Sequence, residues 1–371
     1  MLRTHVNVCT LNLPLRRDHR YAASVKQHPA SIATDGRATV RDIAAETGVS
    51  IATVSRVLND HANVAPHTRE LVREAVQRRG QQAPEPRTGR STRSSGAVFV
   101  RCPYVLSDYF GLIVSSIAET LDVHGRQMIL NAGEAAEASV VLRGLGGQQG
   151  ISGAILILPP ESDEQLIALR ARRFPFVVVD PRTPLPRDIA AVSAAHFAGA
   201  RAVTAHLVEL GHRRIGVIGG PVEWLASEGR LAGHASALAE VGVLAPRELV
   251  RSVHPTSEDG YGAACALLDM PHPPTALVAF NDKAAVGAMR AAAERGLRVP
   301  DDVSITGFDD IDLARATLPM LTTVRQPLQE MGRMAVSFLM RVLERHDHEA
   351  LHIELATELV VRGSTGPVPV R

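Results

Sequence analysis

The stretch TVRDIAAETGVSIATVSRVLN, residues 39–59, has the pattern of two short helices joined by a tight turn. Ile43 and Ala44 fall on the first helix. Gly48 can adopt the left-handed backbone conformation that often closes a helix, and Ser50 is placed to cap the second helix. Together these residues predict a helix-turn-helix.

The second predicted helix has two chemically different faces. The residues predicted to face the core are Val54, Val57 and Leu58. The residues predicted to face outward are Ile51, Ala52, Ser55 and Arg56. A helix whose outer face is small and carries one arginine can enter the major groove of DNA without steric conflict.

A third helix should follow, because Pro66 suits the first helical position, where its missing N–H costs nothing. The apolar stripe that can close a three-helix core is Leu71, Val72, Ala75 and Val76.

Charge is also uneven along the chain. Residues 37–93 hold ten arginines and six acidic residues, whereas the formal net charge of the whole chain is only +1. A basic segment on a near-neutral body fits contact with phosphates.

The runs RDIAAETGVSIATVSRVLN (41–59) and VAPHTRELVREAV (64–76) are similar, in register, to the DNA-binding head of the LacI (lactose-repressor) family of bacterial transcription regulators. A helical pair in an unrelated domain is the alternative interpretation. The resemblance implies that Arg56 contacts a phosphate or a guanine edge, and that Ile51 and Ala52 contact thymine methyls. The DNA contacts that it implies are Thr39, Ser50, Ile51, Ala52, Thr53, Ser55, Arg56, Asn59, Asn63 and Thr68.

Two segments flank the predicted head, which spans residues 37–80. Residues 1–36 show no periodicity and precede the point where family members usually begin. Either a start codon assigned too far upstream or a disordered basic arm would explain them, and the first explanation predicts that their deletion leaves DNA affinity unchanged.

Residues 81–96 have the composition of a linker. The family forms a hinge helix there that inserts a leucine into the minor groove, but Pro84 and Pro86 disfavour a helix and the segment has no leucine, so a clear hinge helix is not expected.

Beyond residue 96, short apolar runs alternate with helical patterns. This alternation indicates parallel sheets covered on both faces, and the number of units indicates two doubly wound subdomains. The predicted boundaries are about 97–195 with 327–355 for subdomain 1, and about 196–326 with 356–371 for subdomain 2. The predicted fold class is a small all-α helix-turn-helix head followed by an α/β domain of two doubly wound parallel-sheet subdomains.

The body resembles the periplasmic sugar-binding-protein fold that the LacI family uses as its effector domain. The motifs that carry this resemblance include LVELGHRRIGVIGG (207–220), GFDD (307–310) and ELVVRGST (358–365). In such a fold, ligands bind between the subdomains at the carboxyl ends of the strands. The resemblance therefore implies a small-molecule effector in a cleft that divides the body.

Polar side chains follow several of the predicted strands. Those that match the family's effector contacts are Asp180, Arg230, Asn281 and Asp309. Carboxylates accept hydrogen bonds, an arginine donates them and an amide does both, so this set suits the hydroxyls of a neutral, sugar-like ligand. Each strand-end Asp or Asn could instead cap a helix or form a turn. We expect Asp282 to be such a cap, and the same role is open for Asp310.

Aromatic residues offer candidate stacking partners for a sugar ring. Tyr109 and Phe110 are predicted in the loop after the first strand, and Trp224 lies six residues before Arg230. A core or lid role for Trp224 is the alternative. The family often has an Asp-Asn pair near the crossing into subdomain 2, where this chain has Ala195-His196, so a carboxylate is missing from the hinge of the cleft.

Other chemistries find no support in the sequence. Cys9, Cys102 and Cys265 have no CxxC or Cys/His spacing, which fits a reducing cytoplasm and predicts no structural zinc. The polar run 346–348 is typical of solvated surface, and 219–221 lacks the Gly-Lys-Ser/Thr of a phosphate loop. There is no GxSxG and no nucleophile–base pair, and no apolar run is long enough to span a membrane.

These observations predict a cytoplasmic bacterial repressor that is not an enzyme, uses no cofactor or metal, and binds operator DNA and a small sugar-like effector. A single head reads too few base pairs for genomic specificity, so a homodimer, or a tetramer, is expected. The alternatives are a sugar-binding protein with no role on DNA and an enzyme on a similar α/β scaffold.

Overall fold

The computed structural model describes residues 40–58, 64–79, 96–133, 136, 142–345 and 352–369. The chain divides into two compact units, Met1–Arg93 (the head) and Ser94–Arg371 (the body). Several predictions lie outside the described residues. They concern residues 1–36, the linker up to residue 95, the polar run 346–348, and Thr39, Asn59 and Asn63.

Three helices form the described part of the head: α1 (Val40–Thr47), α2 (Ile51–Leu58) and α3 (Pro66–Arg79). Gly48 closes α1 with a φ of 69°, in the left-handed region that its sequence position predicts. The fully or nearly fully buried side chains of this unit are Ile43, Val54, Val57, Val72 and Ala75. Each helix therefore contributes to one small core, and the predicted inward face of α2 is the buried one.

The body alternates strands and helices along its whole length. In chain order its elements are β1 (Ala97–Cys102), α4 (Asp108–Val123), β2 (Met128–Ala132), α5 (Leu142–Leu145), β3 (Ile151–Ile157), α6 (Asp163–Ala171), β4 (Phe176–Val179), β5 (Ala190–Ala194), α7 (His196–Glu209), β6 (Ile215–Gly219), α8 (Leu225–Ala239), β7 (Val250–Ser252), α9 (Ser257–Leu268), β8 (Ala276–Ala279), α10 (Asp282–Glu294), β9 (Ser304–Thr306), α11 (Leu313–Ala316), β10 (Thr323–Arg325), α12 (Leu328–Arg345), β11 (His352–Leu355) and β12 (Glu358–Val360).

Subdomain 1 is built on a six-stranded sheet in the order β11-β5-β4-β3-β1-β2, and every pair in it is parallel. Helices α4 and α12 cover one face through residues such as Ile117 and Met331. Helices α5 and α6 cover the other through Leu142 and Leu166. Burial on both faces explains why β4 consists of four consecutive apolar residues, all of them buried.

Subdomain 2 is built on a four-stranded parallel sheet in the order β7-β6-β8-β9. Helices α9 and α10 pack on one face through Leu267 and Ala288, and α7 packs on the other through Val203 and Leu207. An antiparallel pair, β10 with β12, joins this second core through Val324 and Leu359. The fold class predicted from the sequence, a helical head and two parallel-sheet α/β subdomains, is confirmed.

Glycines allow two helix pairs of subdomain 2 to approach closely. A Cβ atom on Gly233 of α8 would lie 2.2 Å from the carbonyl oxygen of Phe197 on α7, and one on Gly287 of α10 would lie 2.0 Å from that of Ser257 on α9. Backbone therefore meets backbone at both crossings, where no larger residue fits. These contacts fix α8 against α7 and α10 against α9.

The structure corrects one predicted element. Tyr109 and Phe110, predicted in a loop, lie in the first turn of α4, because the helix begins at Asp108 with Ser107 in the N-cap position. Helix α8 begins at Leu225, with Trp224 in the N-cap position. None of the helices in the described ranges is both long and apolar enough to cross a bilayer.

Candidate functional site

The outer face of α2 is open to solvent. Ile51 is 49 % exposed and Arg56 is exposed, whereas Val54 on the opposite side is fully buried. Because α2 is held by its inner face, Ile51 and Arg56 on the outer face are accessible to another molecule. This is the arrangement that the 3.6-residue period of the sequence predicts for a recognition helix.

Two hydroxyls of the predicted DNA contacts are used within the head. The backbone N–H of Thr53 donates to Ser50 Oγ over 3.2 Å, and the two side-chain hydroxyls lie 2.8 Å apart. Ser50 therefore caps α2, as its sequence position predicts. Thr68 is half-buried in the first turn of α3 and Ser55 is half-buried on α2. The side chain of Ala52 lies outside the described part of the chain.

In the body, a cavity of about 580 Å³ opens at the carboxyl ends of strands from both sheets. All seven residues predicted to contact an effector line this cavity, from both subdomains: Asp180, Arg230, Asn281, Asp309, Tyr109, Phe110 and Trp224. The volume lies within the range of small-molecule sites. The sequence-predicted residues are thus brought together in one place.

Asp180 and Asp309 reach the cavity from strand ends with unusual backbone geometry. The φ angle is 54° at Asp180 and 122° at Asp309, in the left-handed region that residues with a Cβ rarely adopt. The chain holds these angles through backbone hydrogen bonds, in which Asp180 N donates to Val192 O and Asp309 N donates to Val324 O, each over 2.8 Å. Such local strain is typical of residues whose side chains must point into a site.

The Asp180 carboxylate lies in a buried hydrogen-bond network. Tyr109 Oη donates to its Oδ2 over 2.8 Å, and His196 Nε2 lies 2.8 Å from its Oδ1. Burial raises the pKa of Asp180, but the electrostatic interaction and hydrogen bond with His196, with help from Tyr109 and Arg230, outweigh it and hold the pKa below its ordinary value. Burial also raises the pKa of Tyr109 well above its ordinary value, so its hydroxyl keeps the proton that it donates.

Arg230 joins this network from subdomain 2. Its Nη2 lies 3.3 Å from His196 Nδ1, and its Nη1 donates to the Phe280 carbonyl. The guanidinium also lies between two rings, with its carbon 4.2 Å from the Phe280 centroid and 3.8 Å from the Phe308 centroid. Because an arginine only donates, His196 Nδ1 accepts and His196 Nε2–H donates to Asp180. The tautomer of His196 follows from its two neighbours.

Asp309 has a different environment. Its Oδ1 accepts from Gln326 Nε2 over 2.6 Å. Burial raises the pKa of Asp309 from 3.8 to about 7, although the charge of Arg230 and the hydrogen bond from Gln326 oppose the shift. The two cleft aspartates therefore differ in protonation near neutral pH, with Asp180 ionised and Asp309 close to its midpoint.

The structure corrects the predicted caps. Asn281, not Asp282, is the N-cap of α10, since its Oδ1 accepts from Ala284 N over 2.9 Å. Asp282 is fully buried and accepts from Ile311 N over 2.9 Å and from Thr323 Oγ1 over 2.5 Å. Asn281 also ties two loops, because its Nδ2 donates to Pro255 O over 3.2 Å. The amide thus lines the cavity while both of its polar atoms make internal bonds.

Asp310 is not a cap either. Its buried carboxylate pairs with Arg362 and with Arg325, the latter over 2.8 Å, and lies 3.6 Å from Arg315. The first two pairings reach the strand pair β10–β12 or the segment just after it. The charge of Asp310 therefore fixes the end of the chain to subdomain 2 rather than facing the cavity.

An aromatic wall forms the subdomain 1 side of the cavity. The Tyr104 and Phe110 rings are stacked, with centroids 4.5 Å apart and planes inclined by 4°. Arg182 lies over Tyr104 and over Trp224, at 5.4 and 5.3 Å from their centroids. Trp224 is therefore part of the cavity wall and packs on an arginine, which leaves its ring face less open than a stacking role predicts.

Sequence reasoning missed several polar or aromatic residues at this site, among them Tyr104, Arg182, His196 and Lys283. Arg182 has a usable signal, because it lies two residues after the strand-end Asp180. Lys283 also has a recognisable signal in the sequence, because it is the only lysine after Lys26 in an arginine-rich chain. His196 stands out in the sequence only as a departure from the family pattern. Among the described residues, no group of three His, Cys, Asp or Glu side chains is arranged to hold a metal ion.

Both units of the chain match families of known proteins. Residues 39–80 match the family described as bacterial regulatory proteins, lacI family, and residues 204–365 match a periplasmic binding protein-like domain. The HTH-type transcriptional repressor PurR of Shigella dysenteriae serotype 1 (strain Sd197) is 32 % identical over 337 residues, which cover 90 % of this chain and 98 % of that protein.

Solved structures give the same result. The transcriptional regulator CelR in complex with cellobiose superposes with a TM-score of 0.68 at 30 % identity, over 88 % of this chain and 100 % of that one. The lac repressor dimer bound to operator and the anti-inducer ONPF superposes with a TM-score of 0.65 at 29 % identity, over 89 % and 99 %. Identity at this level over nearly the whole of both chains establishes kinship, and this protein belongs to the LacI family of DNA-binding transcriptional regulators, which bind operator DNA and a small effector and are not enzymes.

Proposed function

We propose that this regulator is a repressor whose operator affinity is set by a sugar-like effector bound between the two subdomains of its body. The observation that carries the proposal is the meeting of all seven predicted effector contacts, from both subdomains, around one 580 Å³ cavity. A ligand held by both walls binds one spacing of the subdomains more tightly than another. Effector and operator affinities are then linked reciprocally, by about 1–3 kcal/mol.

The polar groups of the cavity favour a polyhydroxylated ligand. The Asp180 and Asp309 carboxyls offer acceptors, Arg230 offers donors, and aromatic rings provide apolar surface for the C–H face of a sugar. One similar structure is a cellobiose complex, and another, a LacI family regulator from Enterococcus faecium with bound ribose, superposes at 26 % identity and a TM-score of 0.65. Both complexes support a sugar as the class of ligand.

On the DNA side, the proposed contacts are the outward residues of α2, with Arg56 at a phosphate or guanine edge and Ile51 against thymine methyls. Thr39, Ala52, Asn59, Asn63 and Thr68 remain proposed contacts from the family pattern. For Ser50 and Thr53, the internal hydrogen bonds of the cap favour a positioning role over a direct one. Ser55 is half-buried, and its proposed contact is with the sugar-phosphate backbone of the DNA.

We infer that the protein acts as a homodimer in the bacterial cytoplasm. The edge strand β2 exposes Ile129 (45 %) and Leu130 (38 %), and α4 exposes Leu112 (38 %) in the same subdomain. Exposed apolar side chains on an open sheet edge are characteristic of an interface. Two copies joined by this surface would present two heads to the two halves of a pseudo-palindromic operator.

The subdomain boundaries, about 195, 327 and 355, are proposed as the crossing points between the two sheets.

A gel-shift experiment tests the proposal. The full chain is titrated against the promoter of its own gene and those of neighbouring operons, with and without candidate sugars. We expect retardation of at least one promoter fragment, and a change in affinity with at least one sugar. Unchanged mobility of the DNA in every condition would leave the sugar-binding protein without a DNA role as the better description.

A further inference from the structure

Lys283 is the only lysine that follows Lys26, in a chain whose other 38 basic residues, counted as lysine plus arginine, are all arginines. It lies in the first turn of α10, one residue after Asp282, and its side chain lines the cavity. The amino end of a helix carries a partial positive charge, so a lysine there is at the electrostatically unfavourable end. The interaction with the helix dipole therefore does not explain why a lysine is at this position.

Lys283 interacts electrostatically with Asp309 and makes a direct polar contact with a side chain. Its Nζ donates over 3.0 Å to Ser107 Oγ, across the cleft in subdomain 1. Among the residues that the structure describes, no carboxylate forms an ion pair with it within 4.0 Å. Two of the three N–H groups of its ammonium therefore remain for a third party, while the serine fixes its direction.

Arg182 is a second cation, and it is held against the same loop. Ser107 lies in the segment between β1 and α4, and so does Tyr104, whose hydroxyl accepts from Arg182 Nη2. One cation thus comes from subdomain 2 and one from subdomain 1, and both are held against residues 104–107. Arg182 is half-buried, and this burial lowers its pKa although the charge of Glu223 opposes the shift.

Helix termini add positive potential around the same space. The N-cap residues of four helices line the cavity: Ser107 of α4, Trp224 of α8, Thr256 of α9 and Asn281 of α10. The first backbone N–H groups of a helix favour a nearby anion. Together with the two cations, they make this part of the cavity electropositive.

The carboxylates of the cavity are largely engaged elsewhere. Asp180 accepts from Tyr109 and His196, and Asp309 accepts from Gln326. Glu223, the remaining acid of the lining, is exposed at the rim. Asp309, which is close to its midpoint near neutral pH, acts electrostatically on Lys283, and the exposed Glu223 acts on Arg182.

We propose that the effector is a sugar derivative that carries an anionic group, a carboxylate or a phosphate, and that Lys283 binds this group, with Arg182 beside the same loop. The inference rests on the proposed function, since it specifies the class of ligand for the same cavity. The sugar hydroxyls would face Asp180, Arg230 and Asp309, and the anion would face the loop 104–107. Lysine binds phosphate or carboxylate as a point charge, whereas arginine adds a planar fork.

The test compares neutral and anionic ligands on the full chain. Calorimetric titrations use glucose, galactose and mannose, each beside its uronate, its aldonate and its 6-phosphate. We expect at least one anionic member to bind at least about tenfold more tightly than its neutral parent, and the tightest member shows whether the anion is a carboxylate or a phosphate. A panel in which every neutral parent binds as well as its anionic derivatives, or in which no anionic member binds at millimolar concentration, overturns the inference.

A pair of variants on one helix locates the effect. Lys283→Met removes the charge but keeps an unbranched side chain, and it should abolish the preference for the anionic member while leaving the affinity for its neutral parent within about twofold. Arg290→Met, on the exposed side of α10, should keep the preference. Equal loss in both variants, or loss of neutral and anionic binding together in Lys283→Met, contradicts the assignment.

The lysine content allows a direct readout that does not depend on the variant's folding. In the full chain labelled with carbon-13 lysine, the ε-CH₂ signal of Lys283 should move on addition of the anionic ligand, while that of Lys26 should not. If a neutral sugar changes operator affinity and no anion moves the Lys283 signal, the proposed function stands and this inference fails. If anions move the signal but operator affinity never responds, the inference stands and the proposed coupling fails.

Discussion

His196 Nε2 lies 2.8 Å from Asp180 Oδ1, and through its other ring nitrogen His196 meets Arg230 at 3.3 Å. Asp180 directly follows strand β4 of subdomain 1, whereas His196 begins α7 and Arg230 lies on α8 of subdomain 2. One imidazole thus connects the two walls of the cleft at the point where the chain crosses between them. The family pattern often has Asn here after an Asp, so this chain has replaced an amide with a ring that both donates and accepts.

This relationship predicts a specific effect of His196→Ala. Asp180 would lose a charge-assisted hydrogen bond in a buried site, a loss of roughly 1.5–3 kcal/mol, so effector affinity should fall about tenfold or more. Operator affinity in the absence of effector should be retained. Calorimetry and gel-shift on the same preparation measure the two quantities.

Two further variants control this experiment. His196→Gln places an amide N–H close to the position of Nε2 and should recover part of the affinity. His272→Ala removes an exposed histidine of the same subdomain and should change nothing. If His196→Gln binds the effector no better than His196→Ala, donation to Asp180 is not what His196 contributes.

Asp309 predicts a pH dependence of stability. Its pKa is raised from 3.8 to about 7, so the folded state favours the protonated form more than the unfolded state does. This contribution to stability is complete below about pH 4 and is lost as the pH rises to about 7, with a slope of at most about 1.4 kcal/mol per pH unit. Thermal unfolding of the effector-free protein between about pH 5 and 8 should show a smaller decline in Asp309→Asn, which cannot ionise. Parallel curves for the two proteins would contradict the shifted pKa.

The same residue predicts a loss of regulation. Asp309→Ala removes a cleft acceptor and should abolish the response of operator affinity to effector, while the operator affinity of the effector-free protein remains. Gel-shift titrations with and without the sugar that affects the unaltered protein check this outcome. A normal response would remove Asp309 from the effector contacts.

The close crossing of α9 and α10 predicts opposite outcomes for two glycine-to-alanine changes. Gly287→Ala places a Cβ atom where the Ser257 carbonyl lies 2.0 Å away and should destabilise the body by about 1–3 kcal/mol or more. Gly262→Ala, on α9 with no heavy atom within 4 Å of the point that a Cβ would occupy, should stabilise by about 0.5–1 kcal/mol through helix propensity. Chemical denaturation of both variants tests the pair, and equal effects would argue against backbone-to-backbone packing at this crossing.

Arg56 predicts a separation of the two binding activities. Arg56→Ala should weaken operator binding by about 1–3 kcal/mol, because it removes a contact to a phosphate or a guanine edge. Effector binding should be unchanged, since Arg56 belongs to the head. Arg333→Ala removes an exposed arginine of α12 in the body and serves as the matched control. Loss of effector binding together with operator binding in Arg56→Ala would show that Arg56 does not belong to a DNA-facing surface.

The sequence predicted what depends on local periodicity. The buried Val54 and exposed Arg56 of α2 follow from the helical repeat, and the four apolar residues of β4 follow from burial on both sheet faces. Strand ends that carry Asp180 and Asp309 could be located in the same way. Their convergence on one cavity followed from the rule that parallel strands gather their carboxyl ends.

Contacts between distant residues could not be predicted in this way. The bond from Lys283 to Ser107 joins positions on opposite subdomains, and the fixed tautomer of His196 depends on two partners at once. The N-cap of α10 was predicted one residue late, at Asp282, because Asn281 and Asp282 have similar capping preferences and only the buried partners of Asp282 distinguish them. The sequence therefore indicated which residues serve the site, but the partners of each required the fold.

The most direct test of the account measures operator affinity of the full chain by fluorescence anisotropy, on a DNA fragment from its own promoter, across a titration of the panel of neutral and anionic sugars. We predict specific binding of the fragment and a shift of the operator dissociation constant, on the order of fivefold to a hundredfold, with at least one sugar. A dissociation constant for the fragment equal to that for unrelated DNA, or one that no member of the panel changes, would contradict the central claim that a ligand in the cleft controls the helix-turn-helix head.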